Sequence, residues 1–376
     1  MIPVVQSPFS NNSANNIIAV HASGEPRKVQ DLVVFSKEAV SSQQLSECQG
    51  ALHAARYFPL IQQPLAESGR LLYPYFEGIS EAEAQLNYAK TGDSYWLEMV
   101  MDVEMRKAGD ILNAYRWSFR PALASGNAAV DWEIHRFFHH RLRDVTRLRQ
   151  FYDAGLHVAG RSVSLNELMM LPISINGYDH PCLFEIHSRA ESLLDPARFA
   201  NQPVAFGLGD AHGGNIMIEE KPQKNAARRV LHIDDEASGY HSPILDLAKP
   251  FYNDIFFGAL YADCVTDAPK VEAGIEDGIL KLKYIGVERT LSKAVLEITR
   301  RYLIEPLLLH APETSVDVKA GIETLASALF ACAVLTRNFD ERSDAFLVNL
   351  CHGVLLSQVK TLDELWTTAQ HLLSAC

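Results

Sequence analysis

The sequence predicts an α+β protein of two lobes: a small amino-terminal lobe on an antiparallel sheet, residues 1–78, and a large, mainly helical carboxy-terminal lobe, residues 79–376. Three observations predict it. Up to Gly78 short apolar runs alternate with turn residues. Beyond Gly78, apolar residues recur at helical spacing over most of the length. Two tight polar loops, framed by short apolar strands, interrupt that helical part.

Taken in order, Ile17-Ile-Ala-Val-His-Ala and Asp31-Leu-Val-Val-Phe-Ser-Lys37 read as strands around the turn residues Ser23-Gly-Glu-Pro. Ser41 to Tyr57 reads as a helix, with Leu45, Cys48, Leu52 and Ala55 forming a stripe three and four residues apart. Pro59 and Pro64 break the chain, and Gly69 to Gly78 supplies one more short strand. From Glu81 to Asp153 helical periods dominate. The clearest runs from Asp131 to Tyr152, with Phe138, Leu142, Val145 and Tyr152 on one face and Arg and His over much of the remainder. Asn176-Gly177 marks a turn between short strands, and a helix is expected near Leu183 to Leu194. Pro203 to Ile218 has strand character at both ends and a glycine-rich polar loop between. Arg229 to Ile233 is a strand ending in Asp234-Asp235-Glu236, and after Asp246-Leu-Ala the rest is expected to be almost entirely helical.

Composition excludes several classes. With 376 residues, 48% hydrophobic and 21% charged, the chain has the make-up of a globular protein with a sizeable core. Its 34 Lys+Arg against 46 Asp+Glu give a net charge of −12, which offers no general attraction to nucleic acid or anionic lipid. The longest apolar stretch, Ala328–Leu335, is far short of the roughly 18 residues a membrane span needs. The first residues lack the basic start and apolar region of a secretory signal, so the expected address is cytoplasmic. The six cysteines are widely spaced with no C-x-x-C, which suits buried thiols better than disulfides or a zinc site. No oligomeric state follows from these patterns.

Chemistry concentrates in Gly209-Asp-Ala-His-Gly-Gly-Asn215, which sets a carboxylate, an imidazole and a carboxamide around glycines that permit sharp bends. Asp234 follows at the end of the next strand, so each of two short loops offers an oxygen acceptor to one ion. Hard cations such as magnesium take oxygen ligands, usually together with substrate phosphates. His135 and His139 have the i, i+4 spacing of a metal pair but lack the accompanying Glu, which favours a packed helix. Arg136, Arg141, Arg143, Arg147 and Arg149 read as a solvated basic face more readily than as an anion pocket. Gly207-x-Gly209 fails the dinucleotide fingerprint, and no G-x-x-x-x-G-K-[ST] occurs.

In these loops the sequence resembles the aminoglycoside phosphotransferase and choline kinase family of the protein-kinase-like fold. The resemblance rests on Gly209-Asp210-Ala-His212-Gly-Gly214-Asn215-Ile-Met-Ile, and on Ile233-Asp234 followed by Gly239 and Asp246-Leu247-Ala248. It implies that Asp210 orients or deprotonates an acceptor hydroxyl, that Asn215 and Asp234 (rather than Asp235) hold Mg2+ against the phosphates of ATP or GTP, and that Asp246 braces the catalytic loop. It further implies a phosphate-binding lysine, Lys37 with Lys28 as the alternative, paired with Glu47. Ser10 to Asn16 would cover the nucleotide, and Tyr73 to Gly78 would form the adenine-side hinge. The implied partner is a small molecule bearing a hydroxyl. The glycine at 209 and the lack of glycine in 10–16 leave a nucleotide-binding pseudoenzyme or interaction module as the second reading, and a protein kinase on this fold as a third.

Overall fold

The computed structural model of the chain describes residues 16–20, 32–38, 40–67, 70–74, 76–121, 132–144, 146, 149, 156–158, 160–219, 228–261, 265, 267–309, 317–334, 339 and 343–375, the first two segments as backbone. Lys28 and Ser10 to Asn15 lie outside the described residues, as do Tyr75, Arg147 and Tyr152.

Strands β1 (Asn16–Val20) and β2 (Leu32–Glu38) pair antiparallel, with Asn16 opposite Ser36. β2 then pairs with β4 (Arg70–Pro74), and β4 with β3 (Leu65–Glu67), giving the antiparallel order β1-β2-β4-β3. Helix α1 (Ser41–Ala54) lies between β2 and β3 in sequence. Its position matches expectation but its buried face does not. Leu45 and Leu52 are 59% and 58% exposed, whereas Glu47, Ala51 and Ala54 are buried. The reason is that α1 docks on a loop backbone instead of an apolar surface. A Cβ at Gly50 would sit 2.0 Å from the Asp235 carbonyl oxygen, so only glycine permits this approach.

β5 (Gly78–Ser80) leaves the first sheet and pairs with β11 (Ile216–Glu219), which pairs with β12 (Val230–His232). At the end of β5, Ser80 caps α2 (Glu81–Thr91): the Ser80 hydroxyl accepts from Glu83 N at 3.1 Å, and the Glu83 carboxylate accepts from Ser80 N at 2.8 Å. α3 (Ser94–Ser118) follows behind the N-cap Asp93. The single helix expected over 131–152 is broken. A 3₁₀ turn, Glu133–Phe137, is separated from the short α4 (His139–Arg143) by Phe138 at φ −120°, ψ −89°. The break lets Phe138 enter the core fully buried while Phe137 meets two cationic side chains.

β6 (Leu156–Val158) and β7 (Arg161–Val163) form a hairpin ahead of α5 (Leu165–Met170). β8 (Ile173–Ile175) and β9 (Tyr178–His180) are joined by Asn176-Gly177 at φ 49° and 84°, the turn the sequence predicts. α6 (Leu183–Leu193) precedes β10 (Ala205–Gly207), which pairs with β13 (Gly239–His241). α7 (Pro243–Pro250) runs into a π-helical turn, Phe251–Ile255, and then α8 (Phe257–Leu260).

The expectation of nearly unbroken helix after Asp246 is corrected by β14 (Lys270–Glu276) and β15 (Ile279–Ile285), which form an antiparallel hairpin. Asp277-Gly278 turns at φ 53° and 76°, a primed-turn signal, and β15 buries alternate residues. β15 also runs parallel to β8, completing the order β14-β15-β8-β9. α9 (Thr290–Thr299), α10 (Glu305–Leu309), α11 (Val318–Ala333), α12 (Ser343–Ser357) and α13 (Leu362–Leu372) close the body.

The fold is therefore α+β, a small antiparallel sheet with one helix followed by a mainly helical part. Leu71 and Tyr73 form a small core of their own under the first sheet, while the large core joins α3, α7, α11 and α12. Ala328 to Val334 are fully or almost fully buried, as their apolar run predicts. Among the described residues no helix is long and apolar enough to cross a membrane. Cys48, Cys182, Cys332 and Cys351 are free thiols.

Candidate active site

Asp210 stands just past β10, at the point where the chain turns toward β11. Gly209 precedes it at φ +74°, and a Cβ there would lie 2.6 Å from the Ala237 carbonyl oxygen, so glycine is required by both backbone and space. The loop is held from below by Asp246 on α7, which is 2% exposed. Asp246 Oδ1 accepts from Gly209 N and faces His241 Nε2 at 3.1 Å, and Oδ2 accepts from the Tyr115 hydroxyl at 2.6 Å. Burial, then the Asp246 charge, hold the Tyr115 hydroxyl well above the usual phenol range.

One turn after Asp246 on the same helix, Lys249 places Nζ 2.6 Å from Asp210 Oδ2. The spacing of three residues turns both side chains toward the loop. Burial pushes the Asp210 carboxyl up, but Lys249 and then His212 pull harder, and the net effect is a carboxyl held below its ordinary range and ionised at neutral pH. His212 accepts from Gly214 N through Nδ1 at 3.0 Å, which assigns the proton of a neutral ring to Nε2, 3.3 Å from Asp210 Oδ1. That geometry is not a hydrogen bond. Oδ1 is thus a buried carboxylate oxygen that accepts no hydrogen bond among the described residues. A buried acceptor left so is costly unless a ligand supplies the donor.

The loop continues through Asn215, whose Nδ2 donates to the Asp210 carbonyl at 2.9 Å. Asn215 O accepts from Ile233 N at 3.1 Å, which ties this loop to the one carrying Asp234. Asp234 adopts the left-handed conformation, φ 64°, ψ 60°, which aspartate tolerates better than most residues. Its carboxylate, with those of Glu47 and Glu236, offers oxygen atoms all within 4.8 Å of one another. Asp235 is instead buried, and its backbone N donates to Glu47 Oε1 at 2.9 Å. Tyr73 adjoins the group: burial first, then Glu47 and Asp234, push its phenol far above the usual range. The donors here are all oxygens, a set that fits a hard divalent cation.

The structure therefore brings Asp210 and Asn215 together on one loop and sets Asp234, on the next, beside Glu47 of α1. Lys37 lies on β2 with its backbone opposite Leu71, and its side chain is outside the described residues. Sequence reasoning missed Lys249, although its distance from Asp246 along a helix was a readable signal. It also missed a buried cluster behind the loop. Lys107 Nζ lies 2.8 Å from Asp254, 2.7 Å from Glu104 and 3.3 Å from Glu81, every side chain at most 5% exposed. Asp254, delivered by the π-helical turn, also accepts from Gly213 N at 2.8 Å. Burial, with Glu104 adding to it against the pull of Lys107, pushes the Asp254 carboxyl up to about 7. His135 stacks on Trp132, and His135 and His139 are both buried.

No protein-family model matches the chain, and no curated protein matches it by sequence. Among solved structures, it is similar to an ethanolamine kinase from Plasmodium vivax at 9% identity and a TM-score of 0.40, over 95% of this chain and 78% of that one. It is also similar to a glucosamine kinase at 12% identity and TM-score 0.41, over 97% and 82% of the two chains. A choline/ethanolamine kinase family protein from Mesorhizobium loti aligns at 9% identity and TM-score 0.39, over 91% and 90%.

Proposed function

We propose that the chain is an ATP- and magnesium-dependent phosphotransferase acting on a hydroxyl of a small molecule, with GTP as the alternative donor. The observation that carries this reading is the ionised Asp210, clamped by Lys249 on one oxygen and facing His212 Nε2 at 3.3 Å without a hydrogen bond on the other, beside a loop of oxygen donors tied to it through Ile233 and Asn215. Phosphoryl transfer asks little covalent help of a protein; it needs in-line placement and neutralised charge. In the proposed reaction the acceptor hydroxyl donates to Asp210 Oδ1. Its oxygen forms a bond to the γ-phosphorus, the bond from that phosphorus to the diphosphate leaving group breaks, and the proton passes to Asp210. Asn215 and Asp234 would hold the magnesium, which neutralises phosphate charge, with Glu47 adjoining. Lys37 would reach the nucleotide phosphates from β2.

Thermal stability with and without ATP and magnesium tests the reading on the wild type, Asp234→Ala and Asp210→Asn. Nucleotide at a hundredfold excess over Kd stabilises by about 2.7 kcal/mol. The expected result is a magnesium-dependent rise in Tm that Asp210→Asn keeps and Asp234→Ala loses, with ADP release in Asp210→Asn slowed by roughly 10²- to 10⁴-fold. No rise in the wild type would refute the proposal.

A further inference from the structure

Between the end of α2, α8 and the start of α9 the protein leaves a cavity of about 400 Å³, whose lining includes Gln85, Lys90, Asp267, Arg289, Thr290 and Ser292. None of Asp210, Asn215, Asp234 or Glu47 lines it. Its hydrogen-bond donors lack acceptors. Helix α9 runs ten residues, and its N-cap is Arg289, a side chain that cannot accept a hydrogen bond. The amides of Thr290, Leu291 and Ser292 have no acceptor among the described residues, and all three residues line the cavity. Ser292 is only 5% exposed, and its hydroxyl makes no hydrogen bond among the described residues. From α2, Gln85 is 2% exposed and its Nε2 is a buried donor, likewise without a partner there. Such groups are costly to bury unless something accepts from them.

Arg289 is built into the wall. It sits against the backbone of Gly258, where a Cβ would lie 2.0 Å from the guanidinium carbon, and Nη2 donates to the Asp267 carbonyl. Nε is buried without a partner, and among the described residues no carboxylate forms an ion pair with the guanidinium. Burial lowers its pKa against the opposing fields of Tyr284 and Asp267, yet an arginine stays cationic in a protein. Lys90 adds a second, exposed cation. Two carboxylates also line the cavity: Asp267, which is exposed, and Glu288, which Lys293 matches at 2.6 Å. With Glu288 so neutralised, Lys90 and Arg289 stand against Asp267 alone.

From these observations we infer that the cavity binds a small oxyanion, the phosphate or carboxylate of a soluble molecule, seated on the amides at the start of α9 beside Arg289 and Ser292. Free backbone amides at a helix N-terminus, with a guanidinium and a hydroxyl beside them, are the groups that hold such anions. The site shares no residue with the catalytic loop, so it stands or falls independently of the phosphotransferase reading.

Calorimetric titration of the full chain with inorganic phosphate, and separately with malonate, tests it at fixed ionic strength without magnesium or nucleotide. The expected result is binding of at least one probe, the tighter one naming phosphate or carboxylate, with Asp210→Asn and Asp234→Ala unchanged. Thr290→Glu sets a carboxylate of the chain's own at the exposed first position of α9 and should abolish binding. Arg289→Met should weaken it by about tenfold to a hundredfold, as loss of a charged hydrogen-bond donor does. Because that variant also removes a packed side chain, Ser292→Ala gives an independent reading, with an expected loss of about twofold to tenfold. No heat from either probe, or heat that sodium chloride reproduces, overturns the inference. So does binding that Thr290→Glu and Ser292→Ala both leave unchanged, because the anion would then lie elsewhere.

Discussion

Replacing Asp246 separates the brace beneath the catalytic loop from the chemistry above it. In Asp246→Ala, the buried donors Gly209 N and His241 Nε2 lose their acceptor together, and the Tyr115 hydroxyl is left with only the Pro243 carbonyl at 3.4 Å. An orphaned buried polar group costs about 1–3 kcal/mol, so the variant should lose roughly 3–6 kcal/mol after partial relaxation. Asp246→Asn is the informative partner. Its carbonyl oxygen can keep Gly209 N and His241, and its amide can turn to the Tyr115 oxygen, because that hydroxyl has a second acceptor in the Pro243 carbonyl at 3.4 Å. Only the charge and some geometry are lost, so the expected cost is about 1–2 kcal/mol. Urea denaturation followed by circular dichroism and by tryptophan fluorescence measures both variants. Equal losses in the two would refute the reasoning, since they would show that the carboxylate's shape and acceptor count do not hold the loop.

Two further outcomes follow from the same region. Gly209→Ala should destabilise by roughly 1–3 kcal/mol, because it forces a side chain into a left-handed residue and against the Ala237 carbonyl; urea denaturation of the variant checks it, and an unchanged midpoint would count against the loop geometry. The Lys107 cluster makes a pH prediction. The folded Asp254 carboxyl titrates near 7 against 3.8 for the ordinary group, so the folded chain keeps a proton in that window which the unfolded chain releases. Its stabilising contribution is therefore complete below the ordinary value and declines as pH rises toward about 7, and Glu81, raised chiefly by burial and then by Glu104, acts in the same sense. Measured between about pH 5 and 8, the decline should be shallower in Asp254→Asn than in the wild type; identical slopes would remove Asp254 as its source.

Much of this molecule was legible along the chain because the signals are local. The Asn176-Gly177 turn, the hairpin of β1 and β2, and the pair of polar loops framed by apolar strands depend on residues a few positions apart, and each appears where the sequence predicts it. The Asp277-Gly278 hairpin was equally local in its signal, with alternating residues on both sides of a primed turn, and was hidden by the helical pattern around it. Long-range packing decided the rest. The leucine stripe of α1 faces outward because Gly50 and Glu47 dock the helix on the Asp235 backbone, a contact between residues far apart in sequence. The break at Phe138 exists because two adjacent aromatic rings are drawn in different directions, one into the core and one beneath Arg141 and Lys249.

The candidate site divides in the same way. Residue types and spacing determined that an aspartate, an asparagine and a second aspartate would stand on two neighbouring loops. Only the tertiary structure decided which charges surround them. Lys249 on Asp210 and over Phe137, and Asp254 against Gly213, join segments that periodicity cannot bring together. A carboxylate's protonation and the sign of the charge beside it depend on burial and on neighbours through space, which a linear pattern does not specify.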